Sequence, residues 1–556
     1  MEYVVIASIF VVLILIFSIM GWLEKKKQRK YFALLMKERY GQLSDREISL
    51  AHQACIRKYY ETHKEEDSID DITWNDLNMD RLFALMNQTY SSAGEEYLYY
   101  TLRTLHFNEA GFDTFEEKIE FFINHEKERN SLLFLFADMG KNEKYSIYDY
   151  LGFADNLKEE KSLKYQWLAP ILMIAAIILI FLNTGVGIVA TFLVLGLNIA
   201  MYFKVKGTIL PYITSLRYIM RLVNYGKEIL SIDLLVCEEE KEKISAATKQ
   251  LRSFARNSKY VFASESSSGN PLEIVRDYFN MIFHLDIILF QKMYRQMQLH
   301  EDAIDAINEN VGRLEMYIMV GSFRQAVGTY TIPVFDGMEK ADNIYHPMIE
   351  EPVKNSYDLK RSMLLTGSNA SGKSTFLKTV AMNMILSQTI HMACADSFHT
   401  AFHRIYSSMA LTDNLTAKES YFMVEIKAMN RILKKSRQSG APIVCFVDEV
   451  LRGTNTVERI AASTQILKYM AKHKILCVAA THDIELTTLL EKEYENYHFE
   501  EEVKNDEILF NYQLQKGKAT SRNAIKLLSV MGYDKQIIEK AEAMAALFMK
   551  NNYWEV

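Results

Sequence analysis

A chain of 556 residues, 24% charged and 49% hydrophobic, has room for two to four domains and excludes wholesale disorder. Its net charge of −6 speaks against a general polyanion binder, though a local basic patch is compatible with that average. Five cysteines (Cys55, Cys237, Cys394, Cys445 and Cys477), odd in number and without a CxxC pair, argue against a disulfide framework or zinc site and for a reducing compartment.

Tyr3 to Trp22 carries no charge and is long enough to cross a hydrocarbon core as a helix. The basic cluster Lys25, Lys26, Lys27, Arg29 and Lys30 follows it, and no A-x-A site appears, so an anchor is favoured over a cleaved signal. The positive-inside rule keeps that cluster in the cytoplasm and places the N-terminus outside. A second apolar stretch, Trp167 to Phe203, is split at Asn183-Thr184-Gly185. Lysines at 158, 161 and 164 precede it and Lys204 and Lys206 follow it, so both of its ends are expected in the cytoplasm. Its first half is short for a span. Two full spans, a re-entrant hairpin and a buried hairpin of a soluble core are the readings left open. The expectation is a multi-pass protein of the cell membrane with its working parts in the cytosol.

Between and beyond these stretches, residues 31–160 and 208–330 read as amphipathic helices, with apolar residues recurring at three- and four-residue spacing, as in Ile274, Tyr278, Ile282 and Leu285. Ser264 to Pro271 reads as a loop. The C-terminal third alternates short β-branched runs with helical stretches, the pattern of a parallel α/β sheet. The predicted class is therefore α plus α/β. The predicted segments are an anchor and basic flank (1–30), a helical region (31–160), an apolar hairpin (161–207), a second helical region (208–325) and an ATPase domain with a helical tail (326–556).

The ATPase expectation rests first on Gly367-Ser368-Asn369-Ala370-Ser371-Gly372-Lys373-Ser374, a complete G-x-x-x-x-G-K-[ST] loop between a predicted strand, Ser362 to Thr366, and a helix from Thr375. The glycines let backbone N–H groups close around phosphate oxygens. Lys373 is expected to reach the β- and γ-phosphates of ATP, and Ser374 to ligate Mg²⁺. A second buried strand, Ile443 to Val447, ends in Asp448 and Glu449. Asp448 suits the metal ion, and Glu449 the attacking water. Two acids after a strand are often no more than a helix cap; the loop upstream argues for function. A third strand, Ile475 to Ala480, ends in Thr481-His482, and His482 is placed to sense the γ-phosphate.

These motifs come in a familiar order. Thr366 to Thr375 (TGSNASGKST), Phe422 to Glu425, Asp448-Glu449 with Arg452 to Thr456, and Ala480 to His482 with Glu485-Leu486 resemble the ATPase domain of the MutS DNA mismatch-repair family. The resemblance is good over 315–545 and weaker over 75–150 and 208–320, where Asp76 to Arg103 with Ser91-Ser-Ala-Gly94 looks like the MutS core and levers. It implies an ABC-class site completed between two subunits, hence a homodimer. It also implies that His346-Pro347 and Val353 to Asn355 lie beside the adenine, and that Ser420 opens a helix aimed at the γ-phosphate of the other subunit. An ordinary N-cap is compatible with that role for Ser420.

The departures are Leu451, where the family usually carries Gly, and Glu458-Arg459, where it usually carries Asp-Gly. A mismatch-reading N-terminal domain and its Phe-x-Glu wedge motif are also missing from the sequence before the core. Basic residues from 204 to 259 (Lys204, Lys206, Arg217, Arg221, Lys227, Lys249, Arg252, Arg256 and Lys259) could meet a duplex backbone, or form the solvated face of long helices. Two functions stay open: a membrane-held ATPase that binds DNA, and an ATP-switched membrane clamp for protein partners. An ABC transporter fits less well, because the spans are few and nearly free of polar residues.

Overall fold

The computed structural model describes all residues except 1–19, 21–22, 25, 28, 150–164, 257–270, 369–370, 410–420, 452–453, 505–506, 520–524, 526–527, 529–531 and 552–556. The predicted anchor helix, the lysines at 158–164 and the predicted loop before Pro271 lie outside the described residues. All five cysteines are free and buried. The chain forms two compact units, one of residues 1–64, 86–100 and 114–326 and the other of 65–85, 101–113 and 327–556.

The first unit is helical. Leu168–Leu182 (α1) and Thr184–Ile229 (α2) form the apolar hairpin, turning at Asn183, whose side chain accepts from the Val186 N–H at 3.2 Å. Gly187 is required there, because a Cβ would lie 2.3 Å from the backbone nitrogen of Ile180. Among the described residues, Thr184–Ile209 is the one stretch long and apolar enough to cross a membrane. At 15 residues α1 reaches about 22 Å, short of a hydrocarbon core of about 30 Å. By length and composition one limb of the hairpin is long enough to cross a membrane and the other is not, so the described residues do not support the expected multi-pass arrangement. The apolar faces point outward: Phe181 is 85% exposed, Leu182 78%, Phe192 71% and Leu193 70%. The polar Asn198, on α2, is buried and donates to the carbonyls of Ala169 (3.1 Å) and Ile282 (2.9 Å), which satisfies both of its N–H groups. α2 runs on for 46 residues without a break, so the predicted hairpin and second helical region share one helix.

Glu301–Val327 (α3) is the buried spine of this unit. Its Glu315 accepts from the Tyr90 N–H at 2.5 Å and from the Ser91 hydroxyl, and Gly94 passes so close that a Cβ would meet the Glu315 carboxylate. Burial pushes the Glu315 carboxyl up to about 7 in spite of those donors. Burial would likewise raise Glu95, but the Lys141 ammonium at 2.7 Å and the His52 ring at 2.8 Å outweigh it and hold Glu95 down at about 2. A third buried group joins Lys118 to Glu240 at 2.6 Å, with the Tyr317 hydroxyl donating to the same oxygen at 3.2 Å.

The second unit carries two sheets. Strands β1 (Glu339–Ile344), β2 (Asn355–Leu359) and β4 (Ser397–His399) form a small antiparallel sheet in the order β2-β1-β4. The larger sheet has the order β5-β6-β7-β3-β8-β9, from β3 (Ser362–Thr366), β5 (Arg404–Ser408), β6 (Ile443–Asp448), β7 (Leu476–Thr481), β8 (Tyr494–Lys504) and β9 (Glu507–Lys516). All its pairings are parallel except β8 with β9. β3, β6 and β7 are apolar and almost wholly buried, as strands covered on both faces must be. Helices α4 (Lys373–Thr389), α5 (Tyr421–Lys435), α6 (Thr456–Lys472) and α7 (Ile484–Leu489) complete the crossovers. Cys445, Val447, Leu467, Met470, Cys477 and Leu486 belong to the core between strands and helices. Because β6, β7 and β3 are neighbouring parallel strands, their C-terminal ends share one edge, where ligands bind in open α/β sheets.

Candidate active site

The loop after β3 turns at Gly367 (φ +146°) and re-enters helix at Gly372 (φ +98°). A Cβ at Gly367 would lie 2.7 Å from the Ser371 hydroxyl and 3.1 Å from the Phe499 carbonyl, so glycine alone lets the loop close. Lys373 is buried at the first turn of α4, and its ammonium donates to the carbonyls of Gly367 and Ser368, each at 2.7 Å. Ser371 donates its hydroxyl to the Ser368 carbonyl at 2.7 Å. Ser374 donates to Asp448 Oδ2 at 2.5 Å, which ties the loop to the end of β6. Thr375 is exposed beside it. The predicted strands are found within one residue of their expected limits, and the helix begins at Lys373 instead of Thr375.

Glu449 follows β6 with left-handed backbone (φ +64°), and its N–H donates to the Ala480 carbonyl at 2.9 Å. That bend aims the carboxylate at β7, where His482 Nε2 lies 2.6 Å from Glu449 Oε1. Lys373, Ser374, Asp448, Glu449 and His482 are thereby gathered at the ends of three adjacent strands. A serine hydroxyl and a carboxylate in contact form a hard oxygen pair of the kind Mg²⁺ takes.

His346 and Asn355 line a neighbouring cavity of about 290 Å³ with Gly372, Thr375 and the rings of Phe376 and Tyr512. Burial, with help from Lys378 and Arg81, pushes the His346 imidazole down to about 4, so it is neutral at physiological pH. Its Nδ1 accepts from the Met348 N–H at 3.2 Å, which leaves the ring proton on Nε2. Asn355 donates to the Tyr512 carbonyl at 3.0 Å and accepts from the Leu514 N–H at 2.7 Å, joining β2 to β9. Tyr512 itself has left-handed backbone (φ +53°). Asn369, Ala370, Ser420, Arg452 and Gly453 lie outside the described residues; Ser420 directly precedes α5.

A family model described as MutS domain V matches residues 363–549. The DNA mismatch repair protein MutS of Thermus aquaticus is 26% identical over 261 residues, 46% of this chain and 32% of its own length. Human MutS protein homolog 4 is 30% identical over 262 residues, 44% of this chain and 27% of its own length. The C-terminal part of the chain, which carries the site, is similar to proteins of the MutS family. It spans about a third or less of the length of these relatives.

The departures from the MutS pattern now have a structural setting. Leu451 sits at φ +61°, a conformation that suits glycine, but its side chain is buried in the core beside β6. Arg459, on the first turn of α6, grips Asp483 with two hydrogen bonds of 2.6 and 3.0 Å. Sequence reasoning noted both positions and missed this pairing, as it missed Tyr512 and Phe499, which no local motif marks. Of the basic residues weighed for DNA, Arg221, Lys227, Arg252 and Arg256 border one cavity of about 620 Å³ in the helical unit.

Proposed function

We propose that this chain binds and hydrolyses ATP with Mg²⁺ at the loop after β3. The Ser374–Asp448 contact carries the reading, because it joins the phosphate-type loop to the acidic end of β6 at the strand edge where ligands bind. Lys373 would exchange the loop carbonyls for β- and γ-phosphate oxygens, and Gly367 to Thr375 would surround them with backbone N–H groups. Ser374 and Asp448 would hold the Mg²⁺ ion, which neutralises developing phosphate charge. Glu449 would orient water and take its proton, with His482 steering that carboxylate. The cavity bounded by His346 and Asn355 would take the adenine. Purified full-length protein should hydrolyse ATP only with Mg²⁺, and Asp448→Asn should abolish turnover. Hydrolysis that survives chelation would remove the reading.

The active form is read as a homodimer. The resemblance to MutS has the shell of the γ-phosphate completed by a second subunit, and Ser420 before α5 is the family-matched donor across a two-fold axis. Mixing Lys373→Ala with a bulky Ser420 variant should restore part of the activity in mixed dimers; no recovery would place the whole site within one chain. The apolar hairpin supports a membrane location with the ATPase unit in the cytoplasm, and recovery of full-length protein without detergent would refute it. The arginines around the larger helical cavity favour DNA as partner, held non-specifically and released by salt. Binding that is absent at low salt would favour the alternative, a clamp on protein partners.

A further inference from the structure

The turn after β7 contains an arrangement that the nucleotide motifs leave unexplained. Asp483 stands at the N-cap of α7, where an aspartate ordinarily accepts from its own helix. Here the side chain makes no cap hydrogen bond. Both its oxygens are taken by Arg459 instead, at 2.6 and 3.0 Å, and the pair is largely shielded, with Asp483 12% and Arg459 25% exposed. A two-pronged guanidinium–carboxylate pair fixes orientation as well as distance, which a point-charge contact does not. The Asp483 N–H is held as well, donating to the Thr481 hydroxyl at 3.0 Å. His482 lies between these two anchored residues, with its ring against Glu449. Arg459 is also drawn toward Glu449 and Glu485 electrostatically, after its main attraction to Asp483.

We propose that Arg459 is a positioning residue for ATP hydrolysis: by clamping Asp483 from α6 it fixes the turn that carries His482, and so holds His482 in register with Glu449. This rests on the ATPase reading above. The clamp bridges two segments that both leave the strand edge, one after β6 and one after β7. A small residue at 459 would leave Asp483 free to return to its cap and would let the His482 ring drift. A displacement of about 1 Å at a reacting group costs roughly 10- to 100-fold in rate. Neither Arg459 nor Asp483 lines the cavity beside Gly372 or touches the loop, so nucleotide binding should not depend on them.

The experiment measures kcat, KM and ATP affinity in the detergent-solubilised full chain for Arg459→Ala, Asp483→Asn, their double variant, Arg459→Lys, and the swap Arg459→Asp with Asp483→Arg. We expect kcat to fall roughly 10- to 100-fold in each of the first two, with KM and ATP affinity within about threefold of the parent. The double variant should be no worse than either single one, and the lysine variant should recover part of the loss. Recovery in the charge swap would strengthen the assignment. Unchanged kcat in Arg459→Ala and Asp483→Asn, in a parent that turns over ATP, would overturn the proposal alone. Equal losses in kcat and in ATP affinity would also overturn it, since they mark general loss of structure. A parent with no ATP turnover would remove the ATPase reading, and this inference with it.

Discussion

The strand edge of the second unit and the buried interior of the helical unit both hold charged groups in close contact, but they hold them by different means. At the strand edge, Ser374, Asp448, Glu449 and His482 are partly accessible, Lys373 is buried beneath its loop, and the contacts are replaceable: the lysine rests on its own loop's carbonyls and the serine on the aspartate. Inside the helical unit, Glu315, Glu95 and the Lys118–Glu240 pair are sealed from water and bonded to fixed partners. The first arrangement can release its groups to a ligand. The second is the kind that commits buried charge to one packing, since removing one partner strands the other.

Substitutions at both places should separate these roles. Lys373→Ala should leave the fold intact and lose both ATP binding and turnover, the latter by about 100-fold or more, as read by nucleotide titration and phosphate release. Lys118→Met should do the opposite. It strands the buried Glu240 and should cost about 3–5 kcal/mol in denaturant unfolding of the helical unit, with ATP affinity unchanged. Glu315 sharpens the contrast through pH. Its proton is bound more tightly in the folded chain than in the unfolded one, with values of about 7 and 4.5. The resulting stabilisation is full below about pH 4.5 and is lost as pH rises through about 7, up to about 3 kcal/mol in all. Glu315→Gln should flatten that slope between pH 5 and 8 in thermal unfolding, whereas a parent whose stability rises over this range would contradict the assignment. The smallest effect is expected at Leu451→Gly. Relief of left-handed strain is worth about 1–2 kcal/mol, and loss of the buried side chain costs about 2–4, so a net loss of about 1–2 kcal/mol should appear.

What could be read from the sequence follows the same division. The loop from Gly367 to Ser374 and the acids after β6 announce themselves because phosphate binding requires a local backbone shape, and local shape is written in consecutive residues. Leu451 was visible in the sequence only as a departure from the family's usual glycine, and its left-handed φ appears in the structure alone. The hairpin turn at Asn183 was legible from a break in an apolar run. Helical periodicity predicted the helices around Glu315 but not its partner, because Ser91 lies 224 residues earlier in the chain. Tyr512 reaches the cavity only because β9 folds back on β8, and nothing near Gly372 in sequence signals that. Arg459 was visible as a departure from the family pattern, but its carboxylate partner sits 24 residues downstream on a different turn.

The proposed hydrolysis turns on Glu449 acting on water while the loop and the metal ligands hold the nucleotide. Glu449→Gln keeps the shape of the side chain and removes its basicity, so ATP affinity and single-turnover hydrolysis measured on that variant test the claim most directly. ATP should bind within about threefold of the parent while the hydrolytic step slows by about 100-fold or more. Equal single-turnover rates in the variant and the parent would contradict the assignment of Glu449 and with it the proposed chemistry of the site.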